Sequence, residues 1–186
     1  MSHTTKMSES NGDIVKEARK LKMPITLPQL RNSQPSKQRL HGSNGQPGLS
    51  RIVGRPIPED FNPDEISWVR PRLGITDWEG ACEAIALNHY VITVAPEIGI
   101  DSDIIIGLDP GYDSNFKGTL NKVSNKIGEI LDDTDRSVVI HCAMGMERAP
   151  LAAVWYLHKN EGLSIEDAYE DVIGSRPIVC RREQWL

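Results

Sequence analysis

After residue 60 the chain alternates between short apolar runs and stretches in which apolar residues recur at helical spacing. ISWV (66–69), YVITVA (90–95), DIIIGL (103–108) and SVVIH (137–141) have the length and composition of strands. Most of them lack in–out alternation, as strands covered on both faces do. Helices are predicted between and after them. EGACEAIALN (79–88) precedes the second run, and in 116–131 Leu120, Val123, Ile127, Ile130 and Leu131 fall on one face. In 149–160, Ala149, Ala152, Ala153, Tyr156 and Leu157 form a stripe, with Pro150 suited to a first turn. Ser164 followed by Ile165, Glu166 and Asp167 has the acceptor and early acidic residues of a further helix start. Alternating strands and helices predict an α/β fold, a mostly parallel central sheet flanked by helices.

The first sixty residues carry no such pattern. They hold six prolines and five glycines, while all ten aromatic residues and all three cysteines lie at or after Phe61. A segment with so little to bury does not offset the entropy of ordering its backbone, so residues 1–60 are predicted to be a largely disordered tail and 61–186 the folded domain. Charge changes sign at the same place. Residues 1–58 carry ten Lys/Arg against three Asp/Glu, and residues 59–186 carry eleven against twenty-three. The acidic body is a poor surface for nucleic acid, which binds by neutralising phosphates with cations. Within the tail, Ile14, Ala18 and Leu21 of DIVKEARKLK (13–22) share a helical face beside a basic one. The simplest expectation is a transient, solvated helix, and the sharper one a docking peptide for an acidic groove or an anionic surface.

Other classes fall away. No apolar run approaches the roughly eighteen residues of a membrane span, and the N-terminus has neither a secretory apolar core nor an Arg-rich transit pattern. Cys82, Cys142 and Cys180 are too few and scattered for a disulfide framework, and they and the five histidines lack zinc-ligand spacing. The expectation is a cytoplasmic protein, with the nucleus open to a eukaryotic one, that needs no metal or cofactor.

The chemistry is concentrated in SVVIHCAMGMERAPLAAVWYL. An apolar strand ends at His141-Cys142, a short loop follows, and Arg148 and Pro150 open a helix. Backbone N–H groups converge between a strand end and a helix start, and with the positive helix end they make an anion site that also favours a thiolate at Cys142. Gly145 lets the backbone turn tightly and approach an oxyanion. Arg148 returns to the same concavity with a planar fork able to hold two phosphate oxygens. A buried cysteine beside an ordinary helix would explain either residue alone, but not the joint spacing His-Cys-x2-Gly-x2-Arg.

HCAMGMERAP, His141 through Pro150, resembles the signature of the cysteine-dependent dual-specificity protein phosphatases, within the protein tyrosine phosphatase superfamily. The likeness runs over most of 63–186. VRPRLGITDWEGACEAIALNHYVITVAPE looks like the family's opening strand, helix and second strand, and RPIVCRREQWL like a shortened closing segment. The resemblance implies Cys142 as nucleophile, Arg148 and the amides of Ala143, Met144, Gly145, Met146 and Glu147 as phosphate holders, and His141 as a residue that orients the cysteine. It also implies a general acid on an earlier loop. LDPGYDSNF offers Asp109 and Asp113, of which Asp109 is preferred because it follows a strand directly and is fixed by the turn pair Pro110-Gly111. The implied substrates are phosphotyrosine and phosphoserine/threonine in proteins. Phosphoglucan or another non-protein phosphomonoester, and a phosphoprotein-binding module with little turnover, are the alternatives.

Two departures bear on that expectation. Ala149 stands where the family usually has Ser or Thr, whose hydroxyl helps the thiolate leave, so the second step should slow. Relatives of the plant glucan phosphatases also read Arg-Ala-Pro, so turnover should persist. The loop also lacks lysine and contains Glu147, which argues against substrates with several phosphates unless that side chain faces outward.

Overall fold

The structure, a computed structural model, describes residues 46–186. The 13–22 pattern and most of the predicted tail lie outside the described residues. The order of elements is α1 (Gln46–Val53), β1 (Ser67–Arg70), β2 (Leu73–Thr76), α2 (Trp78–Ala86), β3 (Tyr90–Thr93), β4 (Ile104–Ile105), α3 (Phe116–Asp133), β5 (Val138–His141), α4 (Arg148–Asn160) and α5 (Ile165–Ser175). Short 3-10 turns cover Pro96–Ile98 and Glu183–Trp185. None of the helices among the described residues is long and apolar enough to cross a membrane.

The five strands form one sheet in the order β1-β2-β5-β3-β4, with β1–β2 antiparallel and the other pairs parallel. The central strand β5 is buried along its whole length. Its period-2 alternation divides the core, as strand geometry requires. Val138 and Ile140 join Leu73, Ile75 and Ile92 under α3, α4 and α5, whereas Val139 joins Val91 beneath Ala81 and Ala84 of α2. In α3 the predicted stripe Leu120, Val123, Ile127 and Ile130 is the buried one. Ser164 caps α5, its hydroxyl oxygen accepting the Asp167 N–H at 3.0 Å.

The elements differ from the sequence expectation in three places. LGIT (73–76) is a strand of its own, concealed by its brevity and its glycine, and fully buried between β1 and β5. Of the run 103–108 only Ile104–Ile105 forms the ladder, although Ile106 and Leu108 still donate backbone hydrogen bonds to Thr93 and Val94. The boundary at residue 60 moves toward the N-terminus. Residues 46–60 include α1, and Leu49 and Ile57 are buried in a small cluster with Met146 and Ile178. Arg55 ties this strap down by donating from Nε to Pro177 O at 2.9 Å and from a terminal nitrogen to Val179 O. A few apolar residues suffice for order because the surface that receives them is already built.

Candidate active site

His141 is the last residue of β5, in register with Thr76 of β2 on one side and Thr93 of β3 on the other. The 142–147 loop therefore leaves the C-terminal edge of parallel strands, where ligands of open α/β sheets bind. It runs directly into α4, whose first residue is Arg148.

The loop's backbone is turned by what lies behind it. Arg176, fully buried at 0 % exposure, donates from Nε to Gly145 O at 2.7 Å and from Nη2 to Met144 O at 3.3 Å. The Cys180 N–H donates to Met146 O at 2.7 Å. In a trans peptide the carbonyl and the next N–H point in opposite directions. With the carbonyls of 144, 145 and 146 drawn to the rear, the N–H groups of Gly145, Met146 and Glu147 face the other way, as an anion cradle requires. Gly145 adopts φ +63°, and a Cβ there would collide with the Arg176 guanidinium and lie 2.7 Å from Thr76 O. Left-handed backbone and lack of room both demand glycine.

Arg176 also donates to Pro63 O at 2.9 Å, Ser67 Oγ at 3.1 Å and Glu65 O at 3.4 Å. Burial lowers its pKa to about 10, against the pull of the Asp77, Cys142 and Asp64 charges, and it stays protonated at neutral pH. Sequence reasoning missed this residue. Its nearest signal was a long cation between Ser175 and Pro177 at the end of a helix, which any solvated arginine would match.

Cys142 is 3 % exposed. Arg148 keeps a more open guanidinium, and its Nη2 donates to Glu97 Oε1 at 2.5 Å. Burial opposes the Arg148 charge, but the hydrogen bond and charge of Glu97, with Cys142 and Asp109 nearby, hold its pKa above the ordinary value. His141 is completely buried, with Nε2 3.3 Å from Ser102 Oγ and Nδ1 without a hydrogen-bond partner. Burial lowers its pKa to about 4, although the Cys142 backbone and the Glu97 charge act in the opposite sense, so the ring is neutral at pH 7.

The two loop aspartates have different surroundings. Asp109 directly follows buried Leu108, and its exposed carboxylate accepts the Gly111 N–H at 3.2 Å while its charge reaches Arg148. Asp113 accepts the Thr119 hydroxyl at 2.6 Å and the Asn115 N–H at 2.8 Å, which fixes the entry to α3. Those bonds, the Thr119 one first, hold the Asp113 carboxyl below its usual range. Glu147 forms an ion pair with Arg182, so its charge is compensated by the C-terminal segment. Ala143 is half-buried, Met144 is 40 % exposed on the open side and Met146 is buried under the strap.

Residues 97–186, which span this loop and the turn that carries Asp109 and Asp113, match the family model described as dual specificity phosphatase, catalytic domain. Over these residues, just under half of the chain, the protein is similar to the dual-specificity phosphatases. Solved structures share its fold at low sequence identity. Human DUSP28 is 16 % identical with a TM-score of 0.57, over 70 % of this chain and 90 % of that one. The Cydia pomonella PTP-2 phosphatase is 18 % identical with a TM-score of 0.53, over 65 % and 85 %. The human tyrosine phosphatase-like serine/threonine/tyrosine-interacting protein is 14 % identical with a TM-score of 0.56, over 66 % and 91 %. The domain is thus that of a cysteine-based phosphatase.

Proposed function

We propose that the protein hydrolyses phosphomonoesters, phosphotyrosine and phosphoserine/threonine in proteins, through a phosphocysteine intermediate. The observation that carries this reading is the rearward tethering of three successive loop carbonyls, which turns the following amides the other way on the loop between Cys142 and Arg148. Cys142 Sγ attacks phosphorus, the S–P bond forms and the P–O bond to the leaving group breaks. The loop amides of 143–148 and the Arg148 fork take up charge on the equatorial oxygens. Asp109, protonated, gives its proton to the departing oxygen; ionised, it then takes a proton from the water that attacks phosphorus, and Cys142 leaves as thiolate. The hydrogen bonds that keep Asp113 ionised and tied to α3 support Asp109 for this task.

Ala149 is fully buried and offers no hydroxyl to the departing sulfur, so the second displacement is the slower one. The pairing of Glu147 with Arg182 cancels its repulsion of further phosphates. Preference for monophosphates then rests on the absence of lysine from 143–147. The substrate-holding domain extends to the strap at 46–60.

Rapid mixing with p-nitrophenyl phosphate and with a phosphotyrosine peptide tests the reading. Wild type should give a burst of product followed by slower steady release, and Cys142→Ser neither. Steady turnover that survives in Cys142→Ser removes the nucleophile. A stoichiometric burst with no further turnover leaves a phosphoprotein-binding module.

A further inference from the structure

Side chains of the segment between β3 and β4 supply a contact to each end of the phosphate loop. At the near end, the hydroxyl of Ser102, itself 8 % exposed, lies 3.3 Å from Nε2 of the buried His141 ring. At the far end, Glu97 accepts a hydrogen bond from Arg148. We propose that the segment Glu97–Ser102 is a positioning clamp, with Glu97 aiming Arg148 and Ser102 fixing the ring of His141 beside Cys142. The proposal rests on the reading of 142–148 as the phosphate site.

The segment is built to hold its two side chains steady. Its 3-10 turn, Pro96–Ile98, is closed by Ile98 N–H on Ala95 O at 3.0 Å and Gly99 N–H on Pro96 O at 3.2 Å. Gly99, at φ +71°, reverses the chain, and Ser102 N–H returns to Ile100 O at 2.8 Å. The segment springs from Thr93, the register partner of His141, so the clamp and the loop share one strand pair as their base.

Besides the adjoining Cys142 backbone, the Ser102 hydroxyl is the polar contact that another element brings to the buried His141 ring, and it helps to set the ring's orientation and tautomer. A free ring beside the nucleophile would also free the peptide that leads into Cys142. The Glu97–Arg148 pair differs from an ordinary surface ion pair, which is worth little. Arg148 must keep one edge of its fork for a dianion while its Nη2 is spoken for, so the carboxylate acts on direction rather than on stability. It also places a negative charge beside the incoming phosphate, so the aim costs affinity.

Three measurements test the clamp. In Ser102→Ala the His141 ring-nitrogen NMR shifts should move and kcat/KM should fall about tenfold, and Ser102→Thr, which keeps the hydroxyl, should restore both. Unmoved ring shifts in Ser102→Ala, or no rescue by threonine, overturn the near half. In Glu97→Gln, kcat should fall about tenfold while KM falls too, and tungstate should bind severalfold more tightly by calorimetry. A kcat unchanged or raised in Glu97→Gln would make Glu97 a bystander or a brake and overturn the far half. The ring shifts and tungstate binding need no turnover. An inactive wild type would therefore count against the proposed reaction, and the clamp would still be judged on those readouts.

Discussion

Two arginines meet the phosphate loop from opposite sides, and their environments divide its chemistry. Arg176 approaches from behind, is fully buried and spends its donors on five oxygens of Pro63, Glu65, Ser67, Met144 and Gly145. Arg148 stands in front, partly exposed, with Glu97 as its partner. The rear guanidinium sets the direction of the loop's amides, and the front one remains available to an anion. Identical side chains thus serve shape behind the loop and, in the proposed reaction, binding in front of it, decided by how many backbone carbonyls surround them.

Paired lysine substitutions are the sharpest way to break this division. Arg148→Lys should lower kcat by about three powers of ten, since a point charge replaces the fork on the transition state, with little change in the urea midpoint. Arg176→Lys should instead cost about 2–4 kcal/mol of stability, because a lysine leaves several buried carbonyls unsatisfied. Equal stability losses in the two variants would erase the contrast between front and rear.

The aspartates sharpen it further. Asp109→Asn should reduce kcat on alkyl phosphates by about two to three powers of ten, and less on p-nitrophenyl phosphate, whose leaving group needs little protonation. Asp113→Asn should leave kcat nearly unchanged, its hydrogen bonds serving the entry to α3. Swapped phenotypes would move the acid to Asp113.

The smallest expected effect lies in pH dependence. His141 binds protons less readily when folded, about 4 against an ordinary 6.5, so its contribution to stability is lost as pH falls through that window. Asp77 caps α2 through the Gly80 N–H at 2.9 Å. Burial above all, with Asp64 and Glu79, raises it from 3.8 to about 7, against the pull of the Gly80 N–H and Arg176. The native state therefore holds that proton longer than the unfolded chain, and stability falls as pH rises across the same range. Between pH 6.5 and 5 the two contributions oppose one another. Urea midpoints of wild type should be nearly flat there, whereas Asp77→Asn, which still caps, should lose stability on acidification. A flat profile in the variant would mean that His141 titrates near its ordinary value.

The local signals in the sequence were sufficient for much of this. The period of apolar residues marked α3 and β5, because a helix face or a buried strand repeats at short range. HCAMGMER marked the candidate phosphate loop because its strand, turn and helix start are contiguous. The strap at 46–60 was not legible, since its order depends on Ile178 and on the carbonyls of Pro177 and Val179, more than a hundred residues away. The same holds for Arg176 and its distant acceptors at 63–67, and for Glu97 and Ser102, which nothing nearby distinguishes from loop residues. By itself, then, the sequence determined the family likeness, the 142–147 loop and the helices around it, all carried by residues close along the chain. Which way the loop's amides face and what holds Arg148 and His141 were decided only by tertiary structure, because each depends on a hydrogen bond whose partner the chain brings back from elsewhere.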